Sequence, residues 1–531
     1  MLYLISAAMI ERQVHEFMKT GIIKNKLMLL TMSLMEVSML MGTAGAGTVE
    51  AKASDDVITL RVCNWEEYMD LGEWGEDEII NLDSGDIFGE KALYEEFEDW
   101  YYETYGQKVE VEYSCFGTNE ELYNMLTLGD VYDIVCPSEY MIMKLMNEDM
   151  LVPYSDEFFD TTDTNNYYAR NVSPFISNTL ESHEIGDKYW NEYMAGYMWG
   201  ITGILYNPEK MDRETASSWS VLSNPDYYRQ VTIKDNVRDS FFAAVGALKK
   251  DLLTSSDFTS DESYSDNLMA EMNDVSKENI AAVQDYLQDV KDNVYSFETD
   301  SGKADMITGK VVANYQWSGD AVFAMDQAEQ DGYYLEFAVP KECTNLWFDG
   351  WVMLKSGVEG DSEKQKVAEA FVNFLSMPQN AVRNMYYIGY TSVISGGLDG
   401  DMVFEYLNWN YSADEDESDV TDYDVTYFFD DDAEPGTYVV TTPTEKTRRQ
   451  LYAQYPTEDV INRSAIMEYF DTDANASINQ MWINVRCFNI EDMPVIGWIF
   501  IAAAFIVMVI VFINSYNKNK LLKAKEVKKE D

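Results

Sequence analysis

"VITLRVCNWEEYMD", residues 57–70, runs from an alternating apolar–polar segment straight into an aromatic–acid–acid–aromatic tetrad. Ile58, Leu60 and Val62 alternate with Thr59 and Arg61, which predicts a β-strand with one face in a core. Trp65, Glu66, Glu67 and Tyr68 then fall at the strand's carboxyl end. Carboxylates and aromatic faces both attract cations, so the tetrad is a candidate cation site. It also reads as a polar loop after an edge strand, and the surrounding chain has to decide.

Outward from this stretch, strand-like and helix-like runs alternate over residues 57–486, which predicts an α/β architecture. "KALYEEFEDWYYETYG" (91–106) reads as a helix ended by Gly106, and "KVEVEYSCF" (108–116) as a strand. "TNEELYNML" (118–126) carries a capping box from Thr118 to Glu121 ahead of Leu122, Met125 and Leu126 on one face. "YDIVCPS" (132–138) is a short buried strand, and "SEKQKVAEAFVNFLSMP" (362–378) an amphipathic helix stopped by Pro378. Acid- and glycine-rich stretches at 71–90 and about 398–437 read as loops or insertions. "DTDANASINQMW" (471–482) has calcium-loop spacing at Asp471, Asp473 and Asn475 but lacks the sixth-position Gly and the closing Glu.

The 531 residues suffice for two or three globular units. Asp and Glu number 94 against 38 Lys plus Arg, a formal charge of −56. Such a surface repels nucleic acid and anionic lipid, and favours small cations. Hydrophobic residues at 46% and aromatics at 14% argue against disorder. An odd five cysteines with no CxxC spacing argue against a disulfide framework or a zinc knuckle, and His15 and His183 alone nearly exclude a histidine-built metal centre. No phosphate-binding, serine-hydrolase or zinc-protease motif is present, and no cofactor is implied.

Both ends predict membrane-related segments. Lys24 and Lys26 precede an apolar run from Leu27 to Met41, followed by small residues to Ala53, the layout of a secretory signal over residues 1–53. "MPVIGWIFIAAAFIVMVIVFI" (493–513) is uncharged and long enough to be a transmembrane helix. The Lys-rich tail, 514–531, would then be cytoplasmic, with the acidic body on the extracytoplasmic face of a bacterial cell membrane.

Eight blocks occur in the order of a known family. "CNWEEY", "YDIVCPSEYMIMKLM", "YMWGITGILYN", "SSWSVLSNPDYY", "IKDNVRDSFFAAV", "NYQWSGDA", "VPKECTNLWFDGWVM" and "YYIGYTSV" together resemble the extracytoplasmic spermidine/putrescine-binding proteins of polyamine ABC importers. The resemblance spans Ile58 to Tyr390 and, more loosely, about residue 485. It implies a two-lobed periplasmic-binding-protein-like fold with an interlobe cleft. Lobe 1 would hold about 57–198 and 345–400, and lobe 2 about 199–344 and 438–486. The implied ligand is a polyamine, and the implied partners are an ABC permease and its ATPase.

Carried over position by position, the resemblance makes Trp65 and Tyr68 wall and hydroxyl, with Glu67 the nearby acid. Ser138 and Tyr140 contribute from a second loop, and Asp239, Trp317, Trp347, Asp349 and Tyr390 line the rest. Asp320 stands where putrescine-type members carry an acid. Glu66 replaces a small residue, where its bulk would shorten the site, and Asn236 replaces an acid of the spermidine type. Several of these have plain structural readings: Ser138 as a helix cap, Trp347 and Tyr390 as core aromatics, Asp320 as a turn residue. Asp349, alone between Phe348 and Gly350 in an apolar run, resists one.

The expectation is a membrane-tethered polyamine receptor, favouring putrescine, that performs no chemistry. The alternatives are the same fold bound to a sugar or an iron complex, and a membrane-anchored sensor. A glycosidase would need two carboxylates flanking a sugar.

Overall fold

The structure is a computed structural model that describes residues 57–75 and 78–487. The expected signal region 1–53, the span 493–513 and the tail 514–531 lie outside the described residues. Among the described residues no helix is long and apolar enough to cross a membrane. The expected fold class included such a helix at the C-terminus, and it is corrected accordingly: the fold described here is the two-lobed α/β unit alone.

Eight strands form the path that positions the site: β1 (Ile58–Trp65), β2 (Val109–Phe116), β3 (Ile134–Val135), β4 (Ala195–Tyr206), β5 (Val231–Lys234), β6 (Ser296–Glu298), β7 (Ala313–Trp317) and β8 (Thr344–Leu354). Their order across the sheet is β6-β5-β7-β4-β8-β3-β1-β2. At one end β1 pairs in parallel with β2, from Ile58↔Val109 to Trp65↔Phe116, and with β3. At the other, β5 pairs in parallel with β6 and β7.

Between these parallel halves run β4 and β8, antiparallel to each other. The carboxyl half of β4 pairs with β7, while the carboxyl end of β8 pairs with β3. Each crossing strand therefore belongs to both halves. All twelve residues of β4 and all eleven of β8 are buried, as expected of strands covered on both faces.

The alternation that predicted β1 is present, with Leu60 and Val62 fully buried. Gly106, at φ 72°, closes the helix Leu93–Tyr105, as expected for a residue free to enter the left-handed region. Thr118 caps Asn119–Leu128 by accepting from the Glu121 amide at 3.1 Å. Glu121 reaches back to the Gly117 amide at 2.9 Å, one residue before the cap. Pro378 begins a new helix, Pro378–Ile388, where its missing N–H costs nothing.

Two stretches read as loops are partly regular. A hairpin, Ile80–Leu82 with Gly85–Ile87, lies within 71–90. The acidic insertion holds the helix Met402–Tyr411, and the strand Val420–Asp424, which pairs with Val439–Pro443. Buried Val403, Tyr406, Leu407 and Tyr411 anchor that helix to the core. Asp471 is a helix cap, accepting from the Ala474 amide at 2.8 Å.

Candidate functional site

β1, β3, β7 and the middle of β8 end at one place. After β1 the chain turns at Glu67, whose φ of +53° lies in the left-handed region. For a residue with a side chain that conformation costs roughly 1–2 kcal/mol. The turn leaves Glu66 and Glu67 exposed and sends Tyr68 into the interior. There the Tyr68 hydroxyl donates to Asp349 Oδ2 at 2.7 Å.

Asp349 sits in β8 just before a register shift against β4, between Asp349 and Gly350. Ser138, at the end of the segment after β3, forms an isolated antiparallel bridge with it. The Ser138 side chain makes no capping bond to the helix it precedes, α1 (Glu139–Asn147). Burial pushes the Asp349 carboxyl up to about 6, against the pull of the Ser138 and Tyr68 side chains. Asp349 Oδ1 is buried and has no hydrogen-bond partner, and the same holds for Trp347 Nε1.

Aromatic rings enclose this carboxylate. The Tyr390 ring meets Tyr68 edge-on at 5.0 Å and Trp347 at 5.8 Å. Two glycines permit the approach. A Cβ on Gly200 would lie 2.6 Å from the Trp347 ring, and one on Gly319 would lie 2.4 Å from the Tyr390 ring. Tyr390 then donates its hydroxyl to Asp320 Oδ1 at 3.0 Å.

The structure thus brings Tyr68, Ser138, Asp320, Trp347, Asp349 and Tyr390 into one cluster. A second group adjoins it. Trp317, at the end of β7, places its Nε1 3.4 Å from Asp239 Oδ1, and Tyr315 approaches the same oxygen at 3.4 Å. Burial raises the Asp239 carboxyl to about 6, although Lys234 and Trp317 lower it.

Other predicted residues are engaged elsewhere. Asn236 Oδ1 caps α2 (Val237–Leu248), accepting from the Arg238 and Asp239 amides at 2.8 and 3.2 Å. Glu66 is exposed, and its charge is felt at Cys115 on β2. The Trp65 ring packs on Phe116 at 4.7 Å. Tyr140 donates to Glu120 at 3.3 Å and accepts from Asn119 at 2.9 Å.

Sequence reasoning missed the basic residues. The Arg238 guanidinium lies between two rings, 4.6 Å from Tyr140 and 3.8 Å from Phe470, and donates to the Glu468 carbonyl at 2.6 Å. Lys234 Nζ, fully buried, lies 3.9 Å over the Trp317 ring, between Glu298 at 3.8 Å and Asp320 at 3.7 Å. Lys303, on α3 (Ser301–Ile307), donates to Asp320 Oδ1 at 3.2 Å. Glu139 was also missed. Its Oε2 accepts from the Phe348 amide at 3.1 Å, and burial raises its carboxyl to about 8. Lys234 and Arg238 both lie within the quoted block "IKDNVRDSFFAAV", but nothing in the block marks either as buried.

A family model for bacterial extracellular solute-binding proteins matches residues 132–409. The spermidine/putrescine-binding periplasmic protein of Salmonella typhimurium is 27% identical over 351 residues, 66% of this chain and 81% of the relative. The putrescine-binding periplasmic protein of Pseudomonas aeruginosa is 26% identical over 284 residues, 51% of this chain and 68% of the relative. Among solved structures, the spermidine/putrescine ABC transporter substrate-binding protein of Streptococcus pneumoniae aligns with a TM-score of 0.52 at 22% identity. That alignment covers 81% of this chain and 98% of the other, a likeness of fold.

Proposed function

The chain belongs to the bacterial extracellular solute-binding proteins, and on that premise we propose that it is an extracytoplasmic polyamine receptor that hands putrescine or spermidine to an ABC permease and its ATPase. One observation carries the reading: the buried carboxylate of Asp349 keeps one oxygen unpartnered inside a ring of aromatic side chains. An ammonium group there gains a charge-assisted hydrogen bond, and its methylene chain gains flat apolar walls. Each cation–π contact adds roughly 0.5–2 kcal/mol once water is excluded.

Tyr68 orients the Asp349 carboxylate, Ser138 borders it, and Trp347 and Tyr390 flank the alkyl chain. Asp239 and Trp317 face the next stretch of ligand, and Glu67 guards the entrance. The lobes divide at β4 and β8, with about 57–198 and 345–400 on one side and about 199–344 and 438–486 on the other. The receptor performs no chemistry. The names of the curated relatives support the same ligand class.

Calorimetric titration of the purified protein with putrescine, spermidine, maltose and ferric citrate tests the reading. Saturable one-site heat with a polyamine, and none with the sugar or the iron complex, is expected. Binding of maltose or ferric citrate in place of the polyamines would overturn it.

A further inference from the structure

Asp320 and Asp349 are both buried acids beside Tyr390, yet they are in opposite states. Asp349 keeps Oδ1 unpartnered. Asp320 has both oxygens occupied by the chain: Oδ1 by the Tyr390 hydroxyl at 3.0 Å and Lys303 Nζ at 3.2 Å, Oδ2 by Lys234 Nζ at 3.7 Å. The two lysines differ in turn. Lys234 is fully enclosed and donates to the Thr299 carbonyl at 2.9 Å, so it is built into the lobe. The Lys303 side chain is 20% exposed and comes from the short helix α3.

We propose that Lys303 is a specificity-determining residue: its tethered ammonium holds the position at Asp320 that a further ligand ammonium would otherwise take. The inference rests on the polyamine reading and sharpens it. A ligand anchored at Asp349 meets, on reaching Asp320, a like charge already in place. An additional ammonium at that distance has no free carboxylate and is repelled at short range. A diamine whose second charge stops short of Asp320 avoids this, while a triamine must displace Lys303 or hold an ammonium against it. The charges facing Lys303 belong to Asp320, Asp300 and Glu67. Burial lowers its pKa, but those three acids together raise it above the usual lysine value, so the ammonium is kept charged.

The test is calorimetric titration of the full chain and of Lys303→Met and Lys303→Arg with putrescine and spermidine. Lys303→Met removes the charge and keeps most of the stem, so the ratio of spermidine to putrescine affinity should rise threefold or more. Lys303→Arg keeps a cation at Asp320 and should leave the ratio within threefold of the original. If polyamines bind but Lys303→Met changes the ratio by less than threefold, or lowers it, this inference fails and the receptor reading stands. If neither polyamine binds any of the three proteins, the receptor reading fails and takes this inference with it.

Discussion

Tyr68 and Asp349 lie 281 residues apart in the chain and are joined by a 2.7 Å hydrogen bond from the phenol to Oδ2. The bond links the loop after β1 to a crossing strand that both lobes share. It also fixes the carboxylate so that Oδ1 is the oxygen left open. Tyr68→Phe should therefore weaken putrescine binding modestly, by about 1–3 kcal/mol, the cost of leaving Oδ2 buried without its donor. A tenfold gain in affinity would show that the phenol competes with the ligand.

Acid titration should separate the empty and loaded protein. Asp349 and Asp239 titrate near 6 when folded, against an ordinary value of 3.8, because burial disfavours their charged forms. Between about pH 4 and 6 the folded state holds more protons than the unfolded one, so these groups make the empty protein less stable as pH rises. A bound ammonium favours the ionised carboxylates and reverses the sign. The thermal shift produced by saturating putrescine should thus grow from pH 5 to pH 7.5. A shift that shrinks over that range would place the ligand away from these acids.

Lys234 is a structural cation within the site. Its ammonium lies between Glu298 and Asp320 with no exposed side-chain surface. Lys234→Met leaves Glu298 buried without its counter-ion and Asp320 with Lys303 alone, and should cost about 3–5 kcal/mol of stability in chemical denaturation. Adding Glu298→Gln should recover part of that loss, since the two changes share a partner. A strictly additive double variant would contradict the coupling.

Much of this site was legible in the sequence because strand ends announce themselves. The alternation of Ile58, Leu60 and Val62 located the loop carrying Tyr68, and an acid isolated in an apolar run exposed Asp349. The cations were not legible. Lys234 ends a short strand and Lys303 lies on a helix of one to two turns, where lysine is ordinarily a solvated surface residue. Only the fold turns both towards Asp320. Asn236 shows a related ambiguity: an amide at a helix start serves as a cap as readily as a ligand, and here its Oδ1 caps α2. The acidic insertion was read by composition, which hid the apolar face of Met402–Tyr411.

The most direct test of the account is the affinity of Asp349→Ala for putrescine beside that of the unaltered protein, measured by titration calorimetry on folded samples. If Asp349 holds a ligand ammonium in a closed site, removing the carboxylate should cost about 2–5 kcal/mol, the range for truncating one partner of a buried charge pair. Binding within threefold of the unaltered protein, with folding intact by circular dichroism, would contradict the account.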